Sequence, residues 1–278
     1  MATLATLAVK ITADMAQYQK GMKSMQSMNV RAGQSMTRFA KIAAGVAVVG
    51  VAALTAVTVK AVKAFVEFEK GLKEVTTLAK FSSAEIAGMS KETIKMGRQF
   101  GQTFKVLHKA RYDIVSAGFA KITEQTTLLT QANKMAVAGV TDVSVATDLL
   151  TSALNAYNLE ASDAEDVSDI FFETVKAGKT TIEELSSAMG NIMPIAVGAG
   201  VSLQEVGASM ATVTAAGINT AQAATGLRSM IMALAAPTSA AAAAMTELGI
   251  NTKDAQGNML PMLDVMKQFE GMLSLIHI

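Results

Sequence analysis

Four times between residues 138 and 219 the chain reads Ala-Gly-x-polar: AGVT, AGKT, AGVS and AGIN. A glycine that ends one helix in the left-handed conformation, followed two residues later by Thr, Ser or Asn, is the chemistry of a helix stop and a new helix start. Ser82 to Glu85, Ser162 to Glu165, Thr181 to Glu184 and Ser202 to Glu205 add the spacing of a capping box. With Asn158 filling one gap, the punctuation falls every 17 to 22 residues. It confines the chain to short helices.

Between these marks the apolar residues recur at helical intervals. One stripe is Ala146, Leu149, Leu150, Ala153, Leu154 and Tyr157; another is Val167, Ile170, Phe171, Thr174 and Val175. Leu203, Val206, Met210 and Val213 form a third, and Leu227, Met230, Ile231 and Leu234 a fourth. Pro194 predicts a kink or break in the helix that holds Leu185 and Met189. Composition agrees: aromatics are 5% of the chain against 51% hydrophobic residues, so Ala, Met, Val and Leu carry the apolar mass. Unbranched and small side chains keep most of their freedom in helices. The expected class is all-α, with short antiparallel helices in a compact module. The repeat is one of punctuation, which does not by itself support a solenoid.

Five segments follow. Residues 1–40 read as a strand (LATLAVKIT) and a polar helix, and 41–79 as an apolar helix and the helix after it. Residues 80–248 are the helical core. Residues 249–272 hold NTKDAQGNMLP (251–261), with a turn at Asp254 and Gly257, and a last helix from Pro261 to Met272. Residues 273–278 read as an artefactual or truncated tail and carry no weight in the fold expectation. MATLATLAVKITAD lacks the basic and apolar regions of a secretory signal, which points to synthesis in a cytoplasm.

The chemistry expected is sparse. The chain has no Cys, and its two His are His108 and His277. His108, in FKVLHKARYD, reads as a helix-surface residue. Neither residue type clusters at metal-ligand spacing. DAQGNM lacks the oxygen ligands of a calcium loop, AGKT lacks the upstream glycine of a phosphate loop, and the acids of ASDAEDVSD suit a helix N-terminus. A net charge of +1 and scattered basic residues give no specific nucleic-acid site. No catalytic, cofactor-binding or metal residue is expected, and no enzyme.

The stretch INTAQAATGLRSMIMALAAP (218–237) resembles the signature end of the core of the phage tail tape measure protein family. Its positions here are Gly217, Ile218, Gly226, Leu227, Arg228, Leu234 and Pro237. FEKGLKEV (68–75) resembles the family's opening segment, the Tyr157-to-Phe172 region a loop before an Asp-containing helix, and GVSLQEVGASMATV (200–213) the helix before the signature. LAVKITAD resembles the short strand with which many members begin. The resemblance implies a structural virion protein in the tail lumen, acting in tail assembly, length determination and DNA passage across the host membrane. It implies as partners other copies of itself, tail tube, tail initiator and baseplate proteins, tail assembly chaperones and, on ejection, the host membrane. The long coiled region and the hydrolase domains of longer members have no counterpart in these residues.

Eighteen uncharged residues lie between Lys41 and Lys60. As a helix they span about 27 Å, just under a hydrocarbon core of roughly 30 Å. A constitutive anchor, a buried packing helix, and a helix sheltered in assembly and membrane-active on release all fit. The resemblance favours the third, with Ile42, Val46, Val49, Ala53 and Val57 as the membrane-facing candidates. The competing function is a membrane-embedded or pore-forming helical protein unrelated to virions.

Overall fold

The computed structural model describes residues 51–276, with side chains from residue 64 to residue 271. The N-terminal strand, the polar helix and the first half of the apolar run therefore lie outside the described residues. The chain divides into two units, Met1–Ala64 and Phe65–Ile278.

The described residues are all-α. In chain order the helices are α1 (Val51–Thr76), α2 (Ser83–Phe100), α3 (Phe104–Ser116), α4 (Ile122–Ala138), α5 (Val143–Ala156) and α6 (Ala164–Ala177). There follow α7 (Ile182–Ala199), α8 (Leu203–Ala215), α9 (Thr220–Ala235), α10 (Ser239–Glu247) and α11 (Met262–Ile276). A 3₁₀ turn, Ala161–Asp163, leads into α6. No strand occurs among the described residues; Lys253 and Met259 form one isolated antiparallel bridge.

Within the second unit the helices alternate between two rows. α3, α5, α7 and α9 lie side by side in one, and α2, α4, α6 and α8 in the other, each helix packing on the one two places before it. The predicted stripes are what makes this possible. Leu149, Leu150 and Leu154 of α5, Phe171 of α6, Leu185 and Ile192 of α7, Val206 and Met210 of α8, and Ile231 of α9 enter one continuous core. A second, smaller cluster joins α1 to the far end of the rows through Phe68, Leu72, Val75, Met89 and Val115.

The turns obey the punctuation in two different ways. Gly200 (φ 77°) and Gly217 (φ 97°) hold the expected left-handed conformation. Ser82 and Ser202 each form the reciprocal capping box with Glu85 and Glu205, and Asn158 has φ 52°. Gly139 and Gly178 do not: their φ values are −86° and −104°. They are glycines because neighbours come too close for a side chain. A Cβ on Gly178 would sit 2.8 Å from Ala211 Cα, and one on Gly139 2.6 Å from Ile182 Cγ1. The left-handed residue of the first turn is Val140 instead, with φ 50°.

Other expectations need correction. The Ser162–Glu165 box is absent: the Glu160 N–H donates to Asp163 Oδ2 (2.8 Å) two residues earlier, and Glu165 reaches Lys134 Nζ at 3.5 Å. α7 is not broken at Pro194, which lies on its exposed side. The carbonyl that loses its partner there belongs to Gly190, also exposed, so water can replace the missing N–H. α11 runs past Met272 to Ile276, taking in residues assigned to the tail. His108 is not on the surface; it is 2% exposed, packed under α1.

Candidate functional site

The signature residues converge on the end of the rows formed by α8 and α9. Gly217 turns the chain with its positive φ, and Asn219 Oδ1 accepts the Gln222 N–H (2.9 Å) to start α9. Leu227 and Leu234, seven residues apart, face inward with Ile231 between them. Pro237 follows the end of α9 by two residues, and Thr238 Oγ1 then caps α10. Ile218 remains 45% exposed, and Gly226 and Arg228 lie on the outer side of α9.

Two polar ties fix this end. The first binds α9 to α7. The Thr220 hydroxyl lies 2.8 Å from both Thr180 Oγ1 and Glu184 Oε2, and the Thr180 hydroxyl donates to the same carboxylate oxygen at 3.2 Å. The second binds α11 to α8. Glu205 accepts from Ser202 N (3.1 Å) and Oγ (2.8 Å) with one oxygen and from Met262 N (2.7 Å) with the other. Burial alone would raise the Glu205 carboxyl, but these donors outweigh it and hold the group below the usual range. Tyr157 donates to the Val201 carbonyl at 3.3 Å, and burial with the nearby Glu205 charge pushes its phenol up to about 12.

Beside the second tie a groove of about 720 Å³ lies between α8, α9 and the start of α11. Val213, Ile218, Leu227, Met230, Met262 and Met266 line it, and Gly226 contributes a stretch of bare backbone. On the other side of α9, a polar crevice of about 730 Å³ brings Arg228 near Glu183 and Glu184 of α7. Among the described residues no group of His, Asp or Glu is arranged to hold a metal. The groove has apolar walls, with Glu205 at its edge bonded to Ser202 and Met262.

A family model described as "Phage-related minor tail protein" matches residues 90–276, which span the rows, the groove and α11. The chain belongs to this family of phage tail tape measure proteins. It is 29% identical over 204 residues to the tape measure protein of Pneumococcus phage Dp-1, covering 73% of this chain and 18% of that one. With the probable tape measure protein of Escherichia phage P2 it shares 28% over 206 residues, 74% of this chain and 25% of the relative. With that of Clostridium phage phiCD119 the figures are 24% over 146 residues, 51% and 16%. The chain thus spans a quarter or less of the curated relatives it matches. No solved structure matches it.

Of the membrane candidates, Ile42, Val46 and Val49 lie outside the described residues. Ala53 and Val57 fall in α1, where only the backbone is described. No single described helix is long and apolar enough to cross a membrane; α9 and α10 pass that test only together, bent by 76°. Sequence reasoning missed the second role of Glu205, because its partner Met262 lies 57 residues away. It also missed the Glu184–Thr180–Thr220 tie, for which the doubled Thr180-Thr181 was the one available sign.

Proposed function

We propose that this chain is a core part of a tape measure protein, a structural component of the phage tail lumen acting in tail assembly and length determination. The observation that carries the reading is the family match over residues 90–276, which takes in most of α2 and all the helices from α3 to α11. Assembly in the tail engages other copies of the protein, tube and initiator or baseplate proteins, and assembly chaperones. The apolar docking groove supports a role in protein contact rather than in chemistry. The apolar run from residue 42 to residue 59 acts at the host membrane when the protein leaves the tail with the genome. A nonsense codon at residue 90 of the phage gene tests this. Electron microscopy is expected to show heads without tails, restored on complementation. Normal, infectious tails in the mutant would remove the tail role and favour a membrane protein unrelated to virions. Val49→Asp separates the membrane step, because a charge near the centre of a helix costs roughly 2.5 to 3.5 kcal/mol on insertion. Tails should then form normally but deliver DNA poorly.

A further inference from the structure

The small cluster under α1 contains a polar group that nothing satisfies. Neither His108 Nδ1 nor Nε2 has a hydrogen-bond partner, although the residue is 2% exposed. α1 lies directly on the ring: a Cβ on Gly71 would sit 2.7 Å from His108 Cβ and 2.8 Å from Cδ2. Phe68 meets the imidazole edge to face, with centroids 4.9 Å apart. One turn along α3, Arg111 is fully buried with a single bond, to Gln125 Oε1 at 3.1 Å, and its Nε and Nη2 are unpartnered.

The hold of α1 on the unit is narrow. Among its described side chains Phe68, Leu72 and Val75 are the buried large apolar ones, whereas Phe65 and Val66 are 60% and 56% exposed. The one salt bridge among its described side chains, Lys70 to Glu74 at 3.9 Å, stays within the helix. Apolar contact over a neutral imidazole keeps it down.

A charged imidazole carries two N–H donors and needs two acceptors. In the docked arrangement neither ring nitrogen has one. The charged groups around it are Glu67, Lys70 and Glu74 from α1, and Lys105, Lys109, Arg111 and Asp113 from α3, with Tyr112 beside them. Glu92 of α2 acts on Arg111. Asp113 is held by Lys109 at 2.8 Å, and no carboxylate bonds the ring. Burial first, and the Arg111 cation second, lower the His108 pKa from 6.5 to about 4.

We propose that residues 65–76 form a latch over His108, and that protonation of this imidazole opens the latch while the two rows stay folded. The sign follows from linkage. The undocked state, with its ring in water, binds a proton that the docked state refuses. Docking is therefore at full strength above pH 6.5 and weakens progressively as pH falls toward 4. At pH 5 those two values make docking about thirtyfold weaker than at pH 7.5. The segment released is continuous with the uncharged run that ends at Val59.

Hydrogen–deuterium exchange of the full chain between pH 7.5 and 4.5, corrected for intrinsic rates, tests the latch. The expected result is an approximately thirtyfold loss of protection at pH 5 for amides 65–76, with α5 and α7 unchanged. In His108→Phe and His108→Leu the loss should vanish. Three results would overturn the proposal: no pH dependence at 65–76, the same dependence in both variants, or α5 and α7 losing protection in step. Should the variants not fold, ring resonances of the native chain decide, since its other imidazole is His277. Titration of His108 near 6.5 contradicts the latch, and titration well below it supports it.

Discussion

The corner under α1 and the seam between α6 and α8 are both closed by glycines, and they hold in opposite ways. At the seam, a Cβ on Gly178 would meet Thr214 Oγ1 at 2.6 Å, and one on Gly207 would meet Thr174 Oγ1 at 2.6 Å. Those two hydroxyls donate back to their own helices, to Met210 O (2.8 Å) and Ile170 O (2.7 Å), and the Lys179 N–H donates to Thr214 Oγ1 at 3.2 Å. Every polar atom brought into the close approach is satisfied. At the corner, Gly71 makes room for an imidazole that has no partner at all. Close approach alone does not make a strong joint. The difference lies in whether the buried polar groups are paired.

The largest expected effect separates the two clusters. Phe171→Ala, in the continuous core, should cost about 3–5 kcal/mol in urea unfolding. Phe68→Ala removes the same side chain from the corner, yet should lower the global transition by less than about 1 kcal/mol, because α1 opens before the rest. Equal losses would break the comparison. Next in size is Gly178→Ala, whose new methyl meets the Ala211 backbone at 2.8 Å and should destabilise by about 1–3 kcal/mol. Gly71→Ala should instead raise exchange at residues 65–76 with little change in the global transition. Removing the Ser202 cap by Ser202→Ala should cost about 1 kcal/mol in thermal unfolding. The smallest effect has the opposite sign. Gly226→Ala, at an exposed helix position with no atom within 4 Å, should stabilise by about 0.5–1 kcal/mol.

Much of this fold was legible because local chemistry decides helix ends. Ser82, Ser202, Asn219, Gly200 and Gly217 act through atoms within four residues, so spacing reveals them. The stripes of α5 and α8 were legible for the same reason. Gly139 and Gly178 misled because they carry the same local signature while their cause is remote: Ile182 and Ala211 lie 33 or more residues away along the chain. Burial of His108 was hidden likewise, since nothing in FKVLHKARYD says that α1 will cover that face. At the candidate site, the signature positions fall on α9 and on the turns at its two ends, which local spacing makes legible. The groove itself depends on α11, which Glu205 brings in from far along the chain.

We expect residues 83–276 to stay a folded block in the tail rather than to serve as a measuring rod, because helices that fold back on one another add little axial length. Deleting residues 141–178 removes α5 and α6, which as a continuous helix would account for about 57 Å at 1.5 Å per residue. Electron microscopy of the mutant phage measures the outcome directly. Tails of unchanged length, or no tails, agree with a folded block; intact tails shortened by about 57 Å would show that this region is extended in the tube.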